Sequence, residues 1–238
     1  LSFTVKPGSA EHLGALRGRP TWGDDVKRRG TTLITRRPVD LDFGACGKGY
    51  LVDLLGAFLA SASAEFVIDA GGDLLIHSAE PIAIALEDPD DSTRAIGVAH
   101  ITDGALCASA PSRRHWEVAV NERTQLSIHH LLNAIDGLPV QQTEATWVYM
   151  PGSATDPSAR VREPEAHAIH GAPRTSDSSP QDAIGPFAAH PSALADGLAT
   201  ALFTTSPEEL RRAFSFACVT LNAGRHAAVS SDFPGRLF

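Results

Sequence analysis

The amino-acid sequence predicts an α+β fold, with mixed and antiparallel sheets and a small number of packed helices. Two observations support this class. Short β-rich segments separated by turn residues follow one another between residues 64 and 150, and apolar residues at helical spacing lie on either side of that region. The chain has 238 residues, enough to bury a sizeable core, and we expect a single domain over residues 1–238.

A strand, a tight loop and a helix are predicted between residues 31 and 60. The segment TTLITRRPVDL is β-rich but contains two arginines and a proline, which indicates an edge strand or an interrupted one. The glycine-rich loop GACGKG follows it. After the loop, Leu51, Leu54, Leu55 and Phe58 recur at helical spacing and predict an amphipathic helix.

The middle of the chain predicts a series of strands. The segment AEFVIDAGGDLLIHS consists of two apolar runs around DAGGD, which is typical of two strands joined by a glycine turn. Further strands are predicted at PIAIALE, AIGVAHI, ALCASA, LSIHHLLNAI and ATWVYM.

The last third of the chain begins with a stretch of different composition. Residues 151–191 are rich in Pro, Ser, Ala, Asp and His, so we expect a mobile insert that buries little apolar surface. Two helices are predicted after it, at ALADGLATALFT and at SPEELRRAFSFA. Ser206 would cap the second, with Glu208 and Glu209 in its first turn.

Composition excludes several classes of function. The net charge is −8, so the surface as a whole would not attract nucleic acid or anionic lipid, and any phosphate must be held locally. Cys46, Cys107 and Cys218 are far apart and indicate neither a disulfide framework nor a thiolate zinc site. We find no apolar run of membrane-spanning length and no signal-peptide pattern.

The segment LDFGACGKGYLVD, residues 41–53, is the first candidate site. A glycine-rich loop that enters a helix exposes backbone N–H groups, which favour phosphate, and Lys48 adds a positive charge. The spacing differs from that of a Walker loop, and Gly49 stands where a Ser or Thr would be needed. A tight strand-to-helix turn with a solvated lysine explains the segment about equally well.

Asp196 and Thr200 are the second candidate. They are four residues apart on a predicted helix and therefore share a face. A carboxylate and a hydroxyl are hard oxygen ligands suited to magnesium. A helix cap and a threonine bonded to its own backbone are the ordinary alternatives.

Two further segments carry groups that could act in a site. His129 and His130 are adjacent in a predicted strand, so they point to opposite faces and at most one can face a site as a general base. The alternative is a surface histidine beside a packed one. In DAGGDL, two carboxylates flank paired glycines, which allow a ligand to approach the backbone but also suit a simple hairpin turn.

The order of these segments resembles that of the ApbE-like FAD:protein FMN transferases. LDFGACGKGYLVD is similar to the family's LDLGGIAKGYAVD, DAGGDL to NAGGDL, and DGALCASA to DGALATSG. HLLNAIDGLP is similar to HIIDPRTGxP, and ADGLATALF to ADALATALF. The five motifs cover roughly residues 39–203 apart from the insert, and the resemblance implies the family's T-fold-related α+β fold.

The resemblance also implies roles for individual residues. Magnesium would be held by the backbone carbonyl of Ala45 and the side chains of Asp196 and Thr200, and His130 would take the position of the catalytic histidine. The residues expected to bind FAD are Asp42, Gly47, Lys48, Asp69, Gly71, Gly72, Asp73 and Ser109.

The reaction implied by the resemblance is the transfer of FMN from FAD to a Thr or Ser hydroxyl of a partner protein, with release of AMP. The resemblance implies a bacterial protein, either exported or periplasmic or else cytoplasmic, and leaves its localisation unknown. Asn133 and Ala134 replace the family's Asp and Pro, and LSFTV resembles only the tail of its FDPTVGPL segment, so we expect a divergent, N-terminally shortened member. A magnesium-dependent FAD pyrophosphatase and a non-catalytic flavin-binding protein remain the alternatives.

Overall fold

The computed structural model describes residues 21–121, 124–133, 138–152 and 190–238. They belong to two compact units, the first made of Leu1–Phe43 and Arg114–Val140 and the second of Gly44–Arg113 and Gln141–Phe238. Each unit is described by itself, and the single domain expected over residues 1–238 stays a prediction. Most of the predicted insert at 151–191 lies outside the described residues.

The first unit contains a short helix and two antiparallel hairpins. The helix α1 begins after Thr21, whose hydroxyl accepts a hydrogen bond from the Asp24 amide at 3.2 Å and so acts as the N-cap. TTLITRRPVDL forms a strand only over its first half, because the two arginines and the proline follow its end. The elements are α1 (Trp22–Asp25), β1 (Val26–Arg29), β2 (Thr32–Thr35), β6 (His115–Asn121) and β7 (Thr124–His129), and β1 pairs with β2 and β6 with β7.

The second unit is built on a seven-stranded sheet. Its elements are α2 (Gly47–Ala60), β3 (Phe66–Asp69), β4 (Asp73–Asp88), β5 (Asp91–Ser109), β8 (Thr143–Pro151), α3 (Pro191–Ala201), α4 (Pro207–Leu210), β9 (Ala217–Asn222), β10 (Ala227–Val229) and β11 (Gly235–Leu237). The strands lie in the order β10-β9-β8-β5-β4-β3, with β11 paired to β5, and every described pairing is antiparallel. A 3₁₀ turn at Pro111–Arg113 follows β5.

Element type agrees with the sequence prediction better than element length does. PIAIALE is the second half of β4. AIGVAHI and all of ALCASA except Ala110 lie within β5, because β4 and β5 form one long bulged hairpin. The strand predicted at LSIHHLLNAI ends at His129. The helix predicted at SPEELRRAFSFA covers only four residues, although the Ser206 hydroxyl caps it by accepting from the Glu209 amide at 3.2 Å.

Alternation along β5 divides the core of the second unit between the two faces of the sheet. Ala105 and Cys107 pack with Leu198 and other apolar residues of α3. Leu106, between them, packs with Trp147 in the cluster on the opposite face. The helix α3 is therefore held firmly against one face of the sheet.

The helix α2 has an unexpected orientation. Leu51, Leu54, Leu55 and Phe58, which predicted the helix, are 46–70% exposed. Its buried positions are occupied instead by Gly49, Val52, Asp53 and Gly56. The two glycines explain this, since a Cβ on Gly49 would overlap the Ser192 backbone and one on Gly56 would overlap the Leu75 side chain. Close backbone approach, and not leucine packing, fixes this helix.

Candidate functional site

The glycine-rich loop leads directly into the first turn of α2, as predicted. Cys46 is the N-cap residue of the helix, and its side chain makes no capping hydrogen bond. The first amide groups of an α-helix lack partners within the helix and carry partial positive charge. Of these groups, the Gly49 amide donates to Oδ2 of Asp196 at 3.0 Å.

Lys48 is paired with a buried carboxylate. Its Nζ lies 2.8 Å from Oδ2 of Asp73, whose side chain is fully buried, and 3.5 Å from the carbonyl oxygen of Gly71. The lysine thus connects the glycine loop to the DAGGD turn. The lysine side chain is 44% exposed, so it is partly solvated as well as ion-paired.

The DAGGD turn joins β3 to β4 and needs both of its glycines. Gly71 and Gly72 have φ values of +70° and +104°, which residues with a Cβ rarely adopt. Oδ1 of Asp69 accepts a hydrogen bond from the Gly71 amide at 2.8 Å, so this carboxylate stabilises the turn. The Gly72 carbonyl accepts from the Ala108 amide at 2.9 Å, which brings the turn beside the end of β5, next to Ser109.

Asp196 projects from α3 towards the glycine loop. A Cβ added at Gly197 would lie 3.8 Å from the carbonyl oxygen of Ala45, so that carbonyl lies against the same helix. Thr200 follows Asp196 by one turn of α3. The structure therefore brings together, within one unit, the loop carbonyl and the helix that carries the two predicted oxygen ligands.

Two buried carboxylates share this location with a single lysine. Burial raises the pKa of Asp196 to about 6, and the negative charge of Asp73 adds to the rise. Burial also raises the pKa of Asp73, which Lys48 opposes. Oδ1 of Asp73 has no hydrogen-bond partner among the described residues. With both carboxylates ionised the cluster carries an excess negative charge, which favours a bound cation.

The predicted ligands, which are the Ala45 carbonyl and the side chains of Asp196 and Thr200, are oxygen atoms of the kind that a hard cation such as magnesium prefers. Within the described ranges there is no group of three or more His, Cys, Asp or Glu side chains that could hold a metal ion. The predicted site does not require one, because it combines a single acidic side chain with a backbone carbonyl and a hydroxyl. Substrate phosphates and water usually complete the coordination of magnesium.

The two adjacent histidines of the first unit differ in how their ring nitrogens are used. Nε2 of His129 donates to the Val140 carbonyl at 2.8 Å, and its Nδ1 accepts from the Leu131 amide at 3.3 Å. Nδ1 of the exposed His130 donates to the Arg114 carbonyl at 3.1 Å. A neutral His130 ring therefore carries its lone pair on Nε2, whereas both nitrogens of His129 serve the fold.

We expect stability to fall in mild acid because of His129. Burial lowers the pKa of His129 below its ordinary value of 6.5, and the neighbouring His130 and His115 add to the effect. As the pH falls below 6.5, the unfolded chain takes up a proton that the folded state binds more weakly, so stability is lost between 6.5 and the lowered pKa. Urea unfolding of wild type and His129→Gln at pH 7.5 and 5.5 measures this.

The matched control is His100→Gln, which changes an exposed histidine on β5. His129→Gln should lose less stability than wild type between the two pH values, and His100→Gln should behave like wild type. Equal pH dependence in all three proteins would contradict the assignment of this effect to His129.

The predicted site residues are divided between the two units. Ala45, Gly47, Lys48, Asp69, Gly71, Gly72, Asp73, Ser109, Asp196 and Thr200 lie in the second unit. Asp42 and His130 lie in the first. The predicted roles of Asp42 and His130 therefore stay predictions.

Sequence reasoning assigned no role to Asp53. Its carboxylate is buried and accepts hydrogen bonds from two backbone amides at the start of α3. One signal was available in the sequence: Asp53 lies within the apolar run YLVDLLGAFL with no basic residue three or four positions away. A carboxylate in that setting needs a partner from elsewhere in the chain.

In the described part of the chain, no helix has both the length and the apolar character needed to span a bilayer. Residues 4–160 match the model of the ApbE family. No curated protein matches the chain.

Two solved structures share the fold. The ApbE protein from Thermotoga maritima superposes with a TM-score of 0.66 at 17% identity, covering 95% of this chain and 63% of that one. The flavinyl transferase ApbE of Pseudomonas stutzeri, in its apo form, gives a TM-score of 0.60 at 18% identity, with 95% and 60% covered. The chain thus spans about three fifths of the length of each solved protein, and the similarity confirms the predicted fold class.

Proposed function

The chain belongs to the ApbE family, as its five motifs predicted, and from this premise we propose that it transfers FMN from FAD to a Thr or Ser hydroxyl of a partner protein. The proposed reaction depends on magnesium and releases AMP. One observation carries the proposal more than any other. The buried carboxylates of Asp73 and Asp196 lie with Lys48 where the glycine loop, the DAGGD turn and α3 meet.

The proposed magnesium ligands are the Ala45 carbonyl and the side chains of Asp196 and Thr200. The ion would offset the negative charge of the FAD diphosphate, which is the main electrostatic requirement of phosphoryl transfer. The geometry of the two carboxylates supports a cation at this place. Oδ1 of Asp73 has no hydrogen-bond partner among the described residues, and the buried side chains of Asp73 and Asp196 share the cluster with one lysine.

The first turn of α2 is the proposed anchor for the diphosphate. Amide groups and the helix dipole at such an N-terminus favour phosphate oxygens. Lys48 contributes a positive charge at the same end, and its pairing with Asp73 holds the DAGGD turn close to the loop. Lys48 would therefore act in two ways: its charge attracts the diphosphate, and its ion pair with Asp73 holds the DAGGD turn in place.

The rest of the FAD pocket follows from the family resemblance. Asp42, Gly47, Asp69, Gly71, Gly72 and Ser109 are the proposed further contacts to FAD. Gly71 and Gly72 carry no side chain, which leaves the backbone of the turn open to a ligand. Oδ1 of Asp69 also accepts from the Gly71 amide at 2.8 Å, so this carboxylate would shape the turn as well as contact FAD.

His130 is the proposed general base. Its Nδ1–H is engaged by the Arg114 carbonyl, which leaves Nε2 of the neutral ring as the proton acceptor. A base placed in this tautomer can take the proton of the incoming Thr or Ser hydroxyl as the bond to phosphorus forms. His129 cannot serve in this way without losing a hydrogen bond of the fold.

The test is to incubate the full chain with FAD and Mg²⁺, with and without a cell extract of its source as the supply of acceptor. AMP is measured by chromatography. Covalently bound flavin is detected as fluorescence that survives denaturing electrophoresis. The transferase function predicts AMP together with a flavin-labelled protein band, and neither when Mg²⁺ is removed by EDTA.

Two other results would replace the proposal. AMP with free FMN and no labelled band would identify a magnesium-dependent FAD pyrophosphatase. Flavin retained by the protein without any AMP would identify a non-catalytic flavin-binding protein.

A further inference from the structure

Asp53 caps a helix other than its own. Its side chain is 2% exposed, and its two carboxylate oxygens accept from the amides of Ser192 at 2.9 Å and Ala193 at 2.8 Å. These amides belong to the first turn of α3, whose own N-cap residue, His190, makes no side-chain capping bond. The carboxylate on α2 therefore satisfies two donors that α3 leaves without partners.

A third hydrogen bond joins the same two helices, this time with the acceptor carboxylate on α3 and the donor amide on α2. The Asp196 carboxylate on α3 accepts from the Gly49 amide on α2 at 3.0 Å. Gly49 and Asp53 are four residues apart, as are Ser192 and Asp196, so each pair lies on one face of its helix. Each helix thus offers a carboxylate to the backbone amides of the other.

The contact between the helices leaves little freedom for α3 to turn. A Cβ on Gly49 would lie 2.6 Å from the carbonyl carbon of Ser192 and 2.9 Å from Cα of Ala193, so backbone meets backbone there. Burial raises the pKa of Asp53, and the hydrogen bonds from Ala193 and Ser192 oppose that rise. A buried anion at a helix N-terminus also interacts favourably with the dipole of that helix.

We propose that Asp53 is a positioning residue. It fixes the rotation of α3 about its own axis, and therefore the direction in which α3 presents Asp196 and Thr200 to the cation. Asp53 acts through α3 and does not touch the ion. This inference rests on the proposed function, because it takes Asp196 and Thr200 as cation ligands.

The test measures cation binding apart from turnover. Mn²⁺ alone is titrated into wild type and Asp53→Asn, and the free ion is followed by electron paramagnetic resonance. The amide of asparagine keeps the volume of the side chain but turns an N–H₂ group towards one of the two donors. We expect the Mn²⁺ dissociation constant to rise about tenfold or more, as when groups that orient metal ligands are removed.

The matched control is Asp88→Asn. Asp88 accepts from Arg225 at 2.6 Å in the same unit, so its loss should also lower the melting temperature. A merely structural role for Asp53 predicts the same Mn²⁺ affinity in both variants, whereas the proposal predicts weak binding in Asp53→Asn alone. Asp53→Ala, which removes both acceptors without adding a donor, should also bind Mn²⁺ about tenfold more weakly or worse, and serves if the asparagine variant does not fold.

The outcomes separate the two proposals. Wild type that binds Mn²⁺ together with an Asp53→Asn variant of equal affinity overturns this inference and leaves the function standing. Wild type that binds no Mn²⁺, either alone or in the presence of FAD, overturns both.

Discussion

Asp196→Ala is expected to reduce AMP release from FAD by at least about 100-fold, because it removes the only acidic side chain among the proposed magnesium ligands. Metal ions commonly supply several kcal/mol of charge stabilisation in such reactions, and each ~1.4 kcal/mol corresponds to a factor of ten in rate. The substitution also leaves the Gly49 amide without its acceptor. AMP is measured by chromatography at saturating FAD and Mg²⁺.

A control for this variant is available in the same unit. Asp91→Ala removes a carboxylate that accepts from Thr93 at an exposed turn, and it should leave AMP release unchanged. Added Mg²⁺ should raise the melting temperature of wild type and of Asp91→Ala but not that of Asp196→Ala. AMP release at the wild-type rate by Asp196→Ala would remove the metal assignment.

Gly49→Ala should destabilise the protein by about 3 kcal/mol, because the added methyl group meets the backbone at the start of α3. It would lie 2.6 Å from the Ser192 carbonyl carbon and 2.9 Å from Cα of Ala193, and neither atom can move without shifting the helix. For a chain of this size the melting temperature should fall by roughly 6–12 °C. Thermal unfolding by circular dichroism measures the change.

Gly197→Ala is the matched control for that prediction. A Cβ at Gly197 meets its nearest neighbours, Ala45 and Cys46, at 3.8 Å, which is ordinary van der Waals contact. Alanine within a helix is favoured over glycine by about 0.5–1 kcal/mol, so this variant should be as stable as wild type or slightly more stable. If Gly49→Ala melted at the wild-type temperature, the close approach of α2 and α3 would be wrong.

The local features of the candidate site were predictable because they depend on neighbouring residues. The glycine loop, the start of α2 and the DAGGD turn are each specified within a few positions. The existence of α3 followed in the same way from helical spacing. Element lengths were less predictable, since the union of two predicted strands into β5 depends on pairing with β4.

Partners that lie far away in the chain were not predicted. Lys48 stays a proposed FAD contact, and only the structure shows that its ammonium group is paired with Asp73, 25 positions later in the chain. Leu54 and Phe58 predicted a helix correctly yet lie on its exposed side. Hydrophobic spacing reports which residues share a face, and it does not report which face the rest of the chain covers.

For the histidine pair, the sequence predicted two different environments, and the structure shows which histidine has which. Alternation in a strand predicted that His129 and His130 would differ in environment. Only the contacts with Val140 and Arg114 show that His129 uses both ring nitrogens in the fold and that His130 keeps its Nε2 lone pair.

The sequence by itself determined the family, the fold class and the local shape of the glycine loop and turns, because each of these depends on short runs of neighbouring residues. The tertiary structure alone decided that Asp53 caps α3 and that Asp196 accepts from Gly49. These contacts join positions more than 130 residues apart. Such pairs form only when packing against the sheet brings α2 and α3 together, and no local sequence pattern predicts which residues of the two helices will meet.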